Sequence, residues 1–201
     1  MSIAWEGKSM RKMLSVLRYE YKMQMRRIAT WGVLIAAILI TLLDSFPSES
    51  NLARLEFLSQ PDYFIKRIMS LNGLILIFGL MFLLSNRIST DDKTGVKPLF
   101  MAAPFQKCQY IGGKLIGGFL YTLTIVVLFL VLNIVVYAVF NPTRRGIADY
   151  LIPLGKIIGI SVLPVSFFTS FSAVAIPAII DIKLFYFVIS GLFIINAISV
   201  D

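Results

Sequence analysis

Five stretches of this chain carry no charged residue: 28–43, 68–86, 115–140, 157–180 and 184–200. A helix needs roughly 20 apolar residues to cross the hydrocarbon of a bilayer, and about 17 suffice where it stands upright. The first run is the shortest, and residues 41–46 lengthen it, with Asp44 at the interface. All the formally charged residues lie between or beyond these runs. The pattern predicts an all-α polytopic membrane protein, with residues 1–201 forming a single transmembrane domain of five spans.

Ahead of the first span the periodicity changes. Met10, Met13, Leu14, Leu17, Tyr21, Met25 and Ile28 recur at three- and four-residue steps and form one apolar stripe. Arg11, Arg18, Lys22 and Arg26 occupy the neighbouring face. A stripe flanked by cations predicts a helix lying in the headgroup plane over residues 10–27. Trp31, just inside the first span, suits the aromatic belt at that surface.

The connections differ in length and chemistry. Residues 44–67 read as an outer loop with turn residues at 45–50, a short helix within 51–59, and then Pro61. Residues 141–156 read as a second outer connection, opened by Asn141-Pro142. Residues 181–183 make a turn so short that the fourth and fifth spans must form a tight antiparallel hairpin. Pro164 and Pro177 each remove a backbone donor in the fourth span and predict kinks there. Gly113 and Gly117 stand four apart at the mouth of the third span, with Gly112 and Gly118 beside them; small residues at that spacing let helices pack closely.

The hinge at 87–114 is too long and too patterned for a turn. Ser89-Thr90-Asp91-Asp92 reads as a helix start, with Thr90 or Asp91 as the cap. Gly95 follows, then the apolar patch Leu99-Phe100-Met101-Ala102-Ala103, closed by Pro104. Lys107, Tyr110 and Gly112-Gly113-Lys114 lead into the next span. A short helix over 89–105, apolar on one side, is suited to dock in a groove of a soluble partner.

Charge orients the chain. Hydrophobic residues make up 58% and the mean hydropathy is +0.83, outside the range of soluble domains. Seven basic residues precede the first span, five lie in the hinge and one is Lys183, against six in the two longer connections. Basic residues concentrate in cytoplasmic loops, so the N-terminus and the hinge are expected in the cytoplasm. The net charge of +8 is explained by topology and anionic lipid. No basic–aromatic module points to nucleic acid. The charged residues ahead of the first apolar run do not make a cleavable signal peptide. Cys108 is the one cysteine and cannot form an internal disulfide.

On the hinge residues the chain resembles the permease (transmembrane) subunits of the type 2 ATP-binding-cassette (ABC) transporters. The shared pattern is Asp91/Asp92, Gly95, Leu99, Ala102-Ala103-Pro104, Lys107 and Gly113-Lys114. The helix over 10–27, with Glu20, Lys22 and Arg26 as polar marks, is similar to that family's interfacial elbow. The resemblance implies a pore-forming half-transporter of a bacterial cell membrane. Residues 89–105 would be the coupling helix, with Asp91, Asp92, Gly95, Leu99, Phe100, Pro104 and Lys107 meeting a separate ATPase subunit. A second permease half, identical or different, would complete the pathway. Pro98 falls within the coupling helix and shortens it. The family has six spans and five are found, so an incomplete permease unit is expected, with a true five-span protein as the alternative.

The rest of the chemistry is sparse. Gly7-Lys8-Ser9 imitates the end of a phosphate loop, but Ser2 stands where the first glycine is required and no strand precedes it. Ser161, Ser166, Ser170 and Ser172 have no histidine or carboxylate within the span to activate them, so neither an enzyme, a cofactor nor a metal site is expected. An ion-coupled carrier usually places acids or histidines within its spans, and these runs hold none. Asn72, Ser85, Asn133, Thr169, Ser170 and Asn196 are scattered polar points in an apolar lining, which suits export of a lipophilic or amphipathic cargo. An ion-coupled carrier and a non-transporting component, such as an immunity or anchoring protein, stay beside the permease as alternatives.

Overall fold

The computed structural model describes residues 2–45, 60–93, 107–140 and 147–198, and among these every regular element is a helix. Helix α1 spans Ser2–Met25 and α2 spans Ile28–Ser45. Their axes meet at 57° across a two-residue break. Helix α3, Pro61–Arg67, passes through a π-helical turn, Ile68–Asn72, into α4, Gly73–Lys93. Helix α5 covers Lys107–Phe140. A 3₁₀ turn, Ile147–Tyr150, leads into α6, Leu151–Ile157; a second π-helical turn, Ile158–Val162, joins it to α7, Leu163–Ile179. Helix α8 is Ile182–Ile198.

By length and composition, two helical stretches can cross a membrane: Tyr110–Val139 and Ala148–Pro177. The count rises to four if each bent pair, α1 with α2 and α3 with α4, is one span. Among the described residues the five apolar runs fall on helical segments apart from Ile180, with α8 carrying the described part of the fifth. Helix α5 has 34 residues, about 51 Å at the helical rise, so it outreaches a hydrocarbon layer of about 30 Å.

Several local features depart from the sequence reading. Pro61 opens a helix instead of closing a loop: Gln60 is extended, the Phe64 N–H donates to the Gln60 carbonyl at 3.0 Å, and the missing proline N–H costs nothing in the first turn. Lys156, read as part of a connection, lies within α6. Ser89-Thr90-Asp91-Asp92 does not start a helix, because α4 continues unbroken to Lys93. The rest of the expected coupling helix over 89–105, like the short helix expected within 51–59, lies outside the described residues. Pro164 sits in the first turn of α7, directly after a π turn in which the Leu163 N–H donates to the Ile158 carbonyl, five residues back. The lost donor is absorbed by that rewinding. Pro177 lies inside α7, which stops at the extended Ile180. Asp181 then caps α8, its carboxylate accepting from the Lys183 N–H at 3.0 Å.

Helices α4, α5 and α7 pack along one another, with α2 against α4 and α5, and α8 against α4 and α7. Leu76 and Leu80 of α4, Ile125, Val126, Phe129 and Leu130 of α5, and Val162 are fully buried. Between helices already in lipid, such contacts stabilise mainly by van der Waals packing. At one end of the bundle Phe64, Tyr137 and Tyr150 form an aromatic cluster, with ring centroids 4.3 Å apart for Phe64–Tyr137 and 5.9 Å for Phe64–Tyr150. At the other end Gly118 of α5 faces Leu84 of α4 and Ser170 of α7. Both α4 and α7 therefore run antiparallel to α5 and parallel to each other.

Candidate functional site

At the end of the bundle away from the aromatic cluster, α1 lies alongside the first third of α5, the two running in the same direction. A Cβ placed on Gly113 would stand 2.8 Å from Val16 Cγ1 and 3.2 Å from the Met13 carbonyl oxygen. One placed on Gly117 would stand 3.0 Å from Glu20 Cβ and 3.1 Å from the Leu17 carbonyl oxygen. The two glycines thus form the flat strip on which α1 rests. Further along, the Tyr21 hydroxyl donates to Thr124 Oγ1 at 3.4 Å.

The face of α1 turned to α5 keeps Met13, Leu17, Tyr21 and Met25 of the apolar stripe but drops Leu14 and adds polar residues. Val16, Glu20 and Gln24 are buried, whereas Leu14 is 53% exposed. Glu20 and Gln24, one turn apart, bond to each other: Gln24 Nε2 donates to Glu20 Oε1 at 3.0 Å. Lys114 is buried as well, its Nζ 5.1 Å from the centre of the Tyr110 ring.

The bend between α1 and α2 is tied on every side. Thr30 Oγ1 donates to the Gln24 carbonyl at 3.0 Å and lies 2.9 Å from the Tyr121 hydroxyl of α5. Trp31 Nε1 donates to the Met25 carbonyl at 3.0 Å. Arg27 reaches α4, where Nη1 donates to the Leu83 carbonyl at 3.2 Å. Trp31 thus takes up the Met25 carbonyl at the end of α1, and Thr30 adds a second donor to the Gln24 carbonyl, which also accepts from the Arg27 N–H at 3.2 Å. One knot of side chains therefore joins α1, α2, α4 and α5 at the end where α4 finishes and α5 begins.

The residues singled out from sequence fall into three groups. Asp91 and Asp92 lie on the last turn of α4, and Lys107 opens α5. Gly95, Leu99, Phe100 and Pro104 lie outside the described residues. Gly113 and Gly117 are brought against α1. Gln24, Arg27, Thr30 and Tyr121 were not anticipated; a faint signal existed in the i, i+4 pairing of Glu20 with Gln24. Among the described residues no group of three His, Cys, Asp or Glu side chains is placed to hold a metal ion. The arrangement has the chemistry of a mechanical joint, with hydrogen bonds and close backbone packing coupling four helices. No family model matches the chain, and neither does any curated protein or solved structure.

Proposed function

We propose that the chain is the pore-forming permease half of an ATP-driven transporter of the type 2 ABC class, powered by a separate ATPase subunit and paired with a second permease half. In this reading α2, α3–α4, α5, α6–α7 and α8 are five passes of a cell membrane. Helix α1 is the elbow on the cytoplasmic face, and the segment between α4 and α5 is the docking point for the ATPase. The cargo is lipophilic or amphipathic and is exported, in keeping with the apolar spans.

The observation that carries the reading is the knot joining α1, α2, α4 and α5. A push on the segment between α4 and α5 acts on both of those helices directly. Through Gly113, Gly117 and Tyr121 it also reaches α1 and the first span. A lever needs such a joint between its handle and the columns it moves, and packed elements that shift as units can supply it. The sequence pattern of the hinge supports the family reading, and the joint supports a route for force.

The test is co-purification. The chain should bring down an ATPase subunit from its native membrane, and the double substitution Leu99→Asp, Phe100→Asp should release it while the chain itself still folds and inserts. A complex unchanged by the substitutions would reject the docking role of the hinge. A chain that never associates with an ATPase would reject the transporter reading.

A further inference from the structure

Among the described residues, shielded hydroxyls differ in where their hydrogen bonds go. Thr41, Thr124 and Thr169 turn back along their own helices, donating to the carbonyls of Ala37, Leu120 and Val165 at 2.8, 2.8 and 2.7 Å. That back-bonding lets a helix carry a hydroxyl away from water. Thr122, Ser166 and Ser170 behave differently. They are 0, 1 and 2% exposed, and among the described residues the Oγ of each has no hydrogen-bond partner.

Helical register brings the three to one junction. A Cβ on Gly118 of α5 would lie 3.8 Å from Ser170 Oγ of α7 and 2.8 Å from Leu84 Cδ2 of α4. Phe119 and Phe167 meet across the same two helices, their ring centroids 6.2 Å apart. With α5 and α7 antiparallel, one turn further along α5 from Gly118 is Thr122, and one turn back along α7 from Ser170 is Ser166. Those two therefore stand opposite each other. Leu80 and Leu84 of α4, Ile125 of α5 and Val162 are buried apolar side chains of the same three-helix core.

A hydroxyl sealed in apolar surroundings gives up its hydrogen bonds to water and gains nothing in exchange. One such group is a local defect; three on facing helices form a set of donors and acceptors. A buried water typically takes about three hydrogen bonds, and such waters sit on polar groups that the protein leaves unpaired. We propose that the junction of α4, α5 and α7 is a water-binding site held by Thr122, Ser166 and Ser170. The site makes the α5–α7 seam wet and polar within an apolar core. It stands independently of the transport reading, since it rests on burial and hydrogen bonding alone.

The test uses the full chain in lipid nanodiscs and combines a structure at a resolution that shows water with thermal unfolding. Water density should lie within about 3 Å of at least two of the three Oγ atoms. Thr122→Val should lower the melting temperature by about 3 °C. Adding Ser166→Ala to it should cost less than Ser166→Ala costs alone, because the water has already been released. Two results would overturn the site: hydroxyls folded back on the carbonyls of Gly118, Val162 and Ser166 without water density, or density of a detergent or lipid headgroup upon them. A melting temperature for Thr122→Val at or above that of the parent would do so too, since removing a dry hydroxyl relieves the helix. Where a variant fails to fold, the density of the parent chain decides.

Discussion

Replacing Gly113 by alanine tests the close seating of α1 on α5. The new Cβ would lie 2.8 Å from Val16 Cγ1, 2.9 Å from Val16 Cβ and 3.2 Å from the Met13 carbonyl oxygen. Carbon atoms attract best at about 3.5–4.0 Å, so the shortfall to the valine is about 0.6–1.2 Å. A β-branched side chain has little freedom to swing aside, and the carbonyl has none without moving the backbone. Helix α1 must back away as a unit. Overpacking of this kind costs about 1–3 kcal/mol. Alanine restores about 0.5–1 kcal/mol of helix propensity, which leaves a net loss of roughly 0–2.5 kcal/mol with its centre near 1. In a chain of this size 1 kcal/mol shifts the melting temperature by about 2–4 °C. Gly113→Ala should therefore melt about 3 °C below the parent in differential scanning fluorimetry. Val16→Ala, which removes the nearest obstacle, should recover part of the loss when combined with it. Gly32→Ala and Gly191→Ala, where the added carbon meets nothing within 4 Å, should hold or raise the melting temperature. If Gly113→Ala rose in step with these controls, the seating of α1 on the glycine strip would be refuted.

The Thr30–Tyr121 contact gives a second measurement. Thr30→Val and Tyr121→Phe should each cost about 0.5–1.5 kcal/mol, Thr30→Val the more because it also loses the Gln24 carbonyl. In a double-mutant cycle the pair should be non-additive, and simple additivity would show that the two hydroxyls do not act on each other. The proposed orientation is open to reporter fusions, which should read cytoplasmic at Cys108 and external at Arg145; the reverse pattern would invert the topology.

The sequence predicted the helical segments well because a charge-free run of that length has few other stable solutions in lipid. It did poorly on which faces meet. Periodicity identifies an amphipathic helix by contrast with water, and here much of the exposed surface is itself apolar: Leu39, Phe167, Phe168 and Phe187 are all exposed. The stripe on α1 therefore included Leu14, which points outward, and passed over Glu20 and Gln24, which are buried; Glu20 is seated against Gly117, on a helix about a hundred residues away. Proline misled in a similar way. Pro61 read as a loop residue although it stands at the start of a helix, and the kink expected at Pro164 takes the form of a π turn just before it. At the hinge, Ser89-Thr90-Asp91-Asp92 has the composition of a cap, yet the apolar run behind it carries α4 straight through. Local preference worth about 1 kcal/mol yields to a helix already nucleated.

Ile68–Asn72 and Ile158–Val162 have a bearing on how the chain tolerates changes in length. Such a winding accommodates one residue beyond the ordinary helical count. Excising a single residue there lets the column rewind as plain α-helix, with the stretches above and below still facing their former neighbours. The same excision anywhere else in α4 or α7 would turn everything beyond it by about 100° and carry core side chains out to the surface. Two parallel columns each hold their slack in one short stretch, and single-residue deletions in this fold should survive at those two levels and be purged along the rest of the shafts.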